Sequence, residues 1–129
     1  MTYYIARSLR GNFDTVVEKV TEALKQEGFG VLTQINVADT LKQKIDVDMP
    51  AYRILGACNP KFAHQALSAE NKIGVMLPCN VIIRAAEGGV VEVAAIDPRA
   101  AMKTIGNPQL TQIAEAVAQG LTRAVDSLS

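Results

Sequence analysis

Two cysteines, Cys58 and Cys79, are the side chains in this sequence best suited to chemistry. Their settings are alike: Gly56-Ala57-Cys58-Asn59-Pro60 and Leu77-Pro78-Cys79-Asn80-Val81. A thiol attacks or binds metal as its thiolate, and a helix N-terminus favours that form because its free amides and dipole attract negative charge. Asn59-Pro60 predicts such a start. Asparagine caps the first turn, and proline fits the first helical position, whose N–H has no partner in any case. Cys58 thus stands just before a capped helix, where a thiolate or a small bound anion is stabilised. Cys79 follows Pro78, which donates no ladder hydrogen bond and marks a strand start, an edge or a bulge. If the two segments are neighbours, both sulfurs approach one pocket, which would make a thiol, metal or small-ligand site. The commoner role of such cysteines is that of small buried hydrophobes.

The neighbouring asparagines complete the candidate set of Cys58, Asn59, Cys79 and Asn80. Asn59 has an immediate duty as an N-cap. Asn80 is harder to place, since asparagine is uncommon in strands and a buried amide must find partners. It either orients a ligand or bonds irregular backbone beside Pro78. His64, the single histidine, falls on the opposite side of its helix from Phe62 and Ala66, and no acid–base partner can be named for it. Glu92 alternates onto a solvent face, Asp97 caps the helix that begins at Pro98, and Lys42 and Lys44 form a solvated face.

The sequence contains no phosphate-binding loop, dinucleotide fingerprint, nucleophile elbow, H-E-x-x-H helix or C-x-x-C pair. No cofactor is indicated. One histidine cannot make a His-rich metal site within one chain, so no metal ligands are assigned. The only metal arrangement left is a four-thiolate zinc site shared by two chains, and the wide separation of the cysteines disfavours it.

The elements that must position these residues follow from hydrophobic spacing. Thr2 to Leu9 is β-prone. Asn12 caps a helix with Phe13, Val16, Val17, Val20 and Leu24 on one face and Gly28 at its end. Gly30 to Val37 reads as a strand with Val31, Thr33, Ile35 and Val37 on one side. Asp39 caps a short helix over Thr40–Ile45, and Tyr52–Ala57 is an inner strand. Phe62, Ala63, Ala66 and Leu67 make the buried stripe of the helix after Pro60. Gly74–Ala85 and Val90–Ile96 flank Ala86-Glu87-Gly88-Gly89 and predict a hairpin. Asp97-Pro98 and Asn107-Pro108 open two closing helices, the longer one interrupted by Gly120 as a weak point.

The order is β-α-β-α-β-α-β-β-α-α. It predicts an α+β fold over residues 1–129 as a single domain, with a mixed or mostly antiparallel sheet covered by helices. The strands at 52–57 and 75–83 look apolar on both faces and call for cover on both, from a second subunit if not from this one.

Composition narrows the function. Thirteen basic and thirteen acidic residues leave the 129-residue chain formally neutral, against a nucleic-acid partner that needs basic surface. Six aromatics and no tryptophan make a poor base-stacking platform. No leader-like or membrane-spanning apolar run occurs, and two cysteines fit a reducing compartment, so a cytoplasmic protein with no membrane partner is expected.

Four segments in order, Glu27-Gly28-Phe29-Gly30-Val31-Leu32-Thr33, Leu55-Gly56-Ala57-Cys58-Asn59-Pro60, Leu77-Pro78-Cys79-Asn80-Val81 and Glu92-Val93-Ala94-Ala95-Ile96-Asp97-Pro98, resemble the domain-of-unknown-function 302 family of small bacterial and archaeal proteins. The resemblance implies a single α+β domain that forms a homodimer. It implies no reaction and no catalytic residue. One departure is Gln34, where the family pattern leads us to expect an acidic residue.

The leading expectation is a cytoplasmic homodimer that binds a small molecule, or acts as an accessory protein, at the Cys-Asn-Pro and Pro-Cys-Asn segments. A small anionic ligand held by the amides after Asn59 is the form expected. The alternative is a thiol-dependent redox or sulfur-handling enzyme with Cys58 as nucleophile and Cys79 as resolving thiol.

Overall fold

Asparagine and aspartate set the helix starts. In the computed structural model, which describes residues 2–129, α1 (Phe13–Gln26) begins where Asn12 Oδ1 accepts the Thr15 N–H at 3.1 Å. Asn59, Asp97 and Asn107 do the same for α3 (Pro60–Ala69), α4 (Pro98–Lys103) and α5 (Pro108–Asp126), each with proline in the first turn. The exception is α2 (Val37–Ile45). Asn36 caps it, accepting the Asp39 N–H at 3.0 Å, so the helix starts three residues before the expected Thr40. Asp39 becomes a first-turn acid, which suits the positive helix end equally well.

The strands are β1 (Tyr4–Arg10), β2 (Gly30–Asn36), β3 (Tyr52–Cys58), β4 (Cys79–Ala85) and β5 (Val90–Ile96). They form one sheet in the order β1-β5-β4-β3-β2, antiparallel at every pairing. The fold is therefore α+β with the element order read from the sequence. β4 starts later than the expected Gly74. Ile73–Met76 winds a 3-10 turn, Leu77–Pro78 is a cis peptide, and the ladder begins at Cys79. The β4–β5 hairpin turns at Glu87–Gly89, where Gly88 and Gly89 adopt φ of 70° and 74°, a region glycine enters freely.

One face of the sheet carries the core. Leu55, Val81, Ile83, Val93 and Ala95 are fully buried there beneath Val16, Val20 and Leu24 of α1 and Leu121 and Val125 of α5. Gly120, expected as a weak point, is a packing position. A Cβ there would lie 2.9 Å from Phe29 Cε2, so its absence lets the aromatic ring sit against the helix. A second cluster, Ala66, Ile73 and Leu110 with Met102 and Ile105 beside it, joins α3 and α4 to α5.

The other face is different. The register aligns Ile35, Ile54, Ile82, Ala94 and Ala6 in a row across all five strands. None of these five is buried, and Ile35 is 49% exposed. Helices do not cover this row as they cover the core row. Beside it Arg84 and Glu92, cross-strand partners, form an ion pair at 2.7 Å, which places Glu92 on the outward face expected of it.

Candidate functional site

β3 and β4 are neighbours, and Ala57 pairs with Cys79 at the end of their ladder. Alternation puts Ala57 and Cys79 on the helix-covered face, and Cys58 closes β3 beside them. Here the sheet, α3 and α5 do not meet. They leave a half-open cavity of about 350 Å³ with Cys58, Asn59 and Cys79 in its wall. Phe29, Phe62, Leu110 and Ile113 supply much of the rest, and Met102 reaches in from α4. Three of the four candidate residues thus share one pocket. The two free thiols are each half-buried.

Asn80, the fourth, does not join them. It lies opposite Gly56 and, next in sequence to Cys79, points to the other face. There it is exposed and lines an open groove with Tyr4, Tyr52, Ile82, Arg84 and Glu92. A strand's period of two residues separates the adjacent pair Cys79 and Asn80 onto opposite faces. His64 is exposed on α3 and lies outside the cavity wall, as is Gln34 on β2.

A β-bulge shapes the mouth. The β2–β3 register shifts between Val31 and Thr33, so Val31 faces Ala57 and Thr33 faces Gly56. The expected common face of Val31, Thr33 and Ile35 is broken there, because one extra residue flips the alternation. Leu32 is the residue that the bulge displaces. It stands 68% exposed and still lines the cavity. Leu67 of α3, expected in the buried stripe, is instead 43% exposed and lines the cavity as well, because the half-open cavity leaves it without covering side chains. Gly56 makes room for this crossing: a Cβ would collide with the Thr33 hydroxyl and lie 2.7 Å from Pro78 Cγ.

The electrostatics favour a neutral thiol at Cys79. Burial pushes the Cys79 thiol up to about 11, and the nearby Cys58 sulfur adds to the rise. A thiolate at Cys79 is disfavoured at neutral pH, since desolvation penalises the charged form. Among the described residues no Lys, Arg, His, Asp or Glu lines the cavity. Asn59 Oδ1 is engaged by the Phe62 N–H at 3.3 Å. Among the described residues no buried side-chain nitrogen or oxygen lacks a partner, and no group of three or more His, Cys, Asp or Glu converges as a metal set. The arrangement suits enclosing an apolar group and does not activate a nucleophile at Cys79.

Sequence reasoning missed Leu32, Leu67 and Met102, which shape the cavity from three different elements. Leu32 had one visible signal, an apolar residue on the polar side of a loosely alternating strand.

No curated protein is significantly similar to the chain. A solved structure, the crystal structure of an uncharacterized conserved protein DUF302 from Bacillus stearothermophilus, has the same fold. Its TM-score is 0.90, with 28% sequence identity over 98% of this chain and 98% of that one. Residues 5–128 match the family described as Domain of unknown function DUF302. The match spans all five strands but for the first residue of β1, together with every helix and both cysteine segments, and the chain belongs to that family.

Proposed function

We propose that the protein is a homodimeric, cytoplasmic small-molecule-binding protein whose site is the cavity walled by Cys58, Asn59 and Cys79. The carrying observation is that half-open cavity of about 350 Å³, within the range of ligand pockets. Its lining moves the reading away from the anionic ligand expected above. Among the described residues no cation faces the cavity, and the Phe62 N–H at the start of α3 is already taken by Asn59 Oδ1.

A saturable apolar dye, anilinonaphthalene sulfonate, tests the site. One molecule per chain should bind, and binding should slow maleimide labelling of Cys58. Absence of saturable binding, or unchanged labelling, refutes the reading. The redox alternative is less well supported, since Cys79, its resolving thiol, would have to act as a thiolate and is held as the neutral thiol.

Two observations support the dimer. The row of Ile35, Ile54, Ile82, Ala94 and Ala6, exposed or half-buried, leaves an apolar stripe on the uncovered sheet face. The chain also exposes 7636 Å², whereas a compact monomer of 13.8 kDa exposes about 6,600 Å². That excess is close to the ~800 Å² that each partner of a stable complex covers. Free thiols support a reducing compartment.

A further inference from the structure

We infer that the cavity takes the hydrocarbon part of an aliphatic amphiphile, about a dozen carbons long, whose polar end stays at the mouth. This rests on the ligand-binding reading above and names the chemical class. A cavity of ~150 Å³ lined by aliphatic and aromatic side chains holds one benzene ring. The cavity here is about 350 Å³, a little over twice that size. A group of about twelve carbons therefore fills it.

The wall is almost wholly carbon and sulfur. A hydrogen-bonded ligand needs waiting donors or acceptors, yet among the described residues only Thr33 and Asn59 bring side-chain oxygen or nitrogen to the wall, and Asn59 Oδ1 already accepts the Phe62 N–H. A charged head inside would lose its water with no counter-charge to meet it. Burial of carbon is the remaining source of affinity, and it discriminates by length, not by head group. Met102 and the two thiols give soft, adaptable walls that accept a flexible chain.

The mouth fits the same class. Leu32 and Leu67 are large aliphatic side chains left 68% and 43% exposed at the rim. They gain burial when a chain lies between them. A head group just beyond them stays in water, so an alcohol and a carboxylate of equal length should bind alike.

The test is a displacement titration of anilinonaphthalene sulfonate by n-alkanols and n-alkanoates of six to sixteen carbons, with acetate and phosphate as short polar probes. Affinity is expected to rise about fourfold per added methylene, the worth of burying one CH₂, and to level off near twelve carbons for both head groups. Ala63→Leu adds three carbons to the wall and should move the plateau about three carbons shorter. Leu32→Ser, at an exposed position that does not burden folding, should weaken all long probes several-fold without moving the plateau. Affinity that ignores length, or a plateau unmoved by Ala63→Leu in a protein with native circular dichroism, overturns the inference. If acetate or phosphate binds instead, and Ala63→Leu blocks it, the ligand class is wrong while the binding site stands. If no probe binds or displaces the dye, both fail. If Ala63→Leu halves the mass in solution, the mouth is a subunit contact and the inference is overturned.

Discussion

At the scale of single residues, Cys79 and Gly56 carry the sharpest consequences. Burial raises the Cys79 thiol to about 11 in the folded chain, against about 8.5 when unfolded. A group raised on folding contributes stability that is whole below its unfolded value and lost as pH climbs to its folded one. Stability should therefore fall between about pH 8.5 and pH 11, by about 3 kcal/mol in all. Chemical denaturation across that range should show the fall in the natural chain and not in Cys79→Ala. Alkylation at pH 8 should label Cys79 slowly until the fold is opened. Gly56→Ala tests the bulge crossing. The new methyl meets Thr33 and Pro78, and overpacking of this kind costs about 1–3 kcal/mol. A lowered urea midpoint would show it, and Thr33→Ala should restore part of the loss.

At the scale of elements, capping explains why the helices start where they do. Asn107 does two jobs. Its Oδ1 accepts the Gln109 N–H at 3.0 Å, and its Nδ2 donates to the Ala69 carbonyl at 3.1 Å. It thereby ties the start of α5 to the end of α3, the two helices beside the cavity. Asn107→Ala should cost about 1–2 kcal/mol, the worth of a cap plus one hydrogen bond. Asn107→Ser keeps a cap oxygen and should cost less, a difference thermal unfolding can read. Asp97 is buried at the start of α4 and bonded twice by the Arg99 guanidinium, at 2.9 Å in each case. The Arg99 hydrogen bonds hold its carboxyl below the usual range. A depressed acid contributes stability above its unfolded value, about 3.9, and loses it as pH falls through the lower folded value. Asp97→Asn should therefore flatten the acid limb of stability below about pH 4. The cap positions of α1, α3, α4 and α5 were legible because Asn or Asp stands directly before the helix. The start of α2 was not, because Asn36 and Asp39 are both competent caps and only the turn from β2 chooses between them.

At the scale of the whole molecule, the sheet has one face under helices and one in the open. Placing a charge at the centre of the open row should block any pairing of two such faces, because an unpaired charge in an apolar contact is costly. Ile82→Arg should accordingly give a monomer by light scattering, with the natural chain a dimer. A natural chain that runs as a monomer at micromolar concentration would refute the dimer. The change lies on the uncovered face, so circular dichroism should stay native.

The four Asn/Asp-capped helix starts, the hairpin glycines and the order of elements were all readable along the chain, because each depends on residues a few positions apart. So was the likeness between the settings of Cys58 and Cys79. Their meeting was not, since it rests on the pairing of Ala57 with Cys79 between strands that are distant in sequence. That Asn80 and Cys79 face opposite ways follows from strand alternation alone, but which of the two lies under the helices was decided by packing. The cavity itself belongs wholly to the tertiary structure. It is the space that α3, α5 and the ends of two strands fail to fill, and no local pattern records a volume. Local chemistry decides where elements begin, while packing across the chain decides what they enclose.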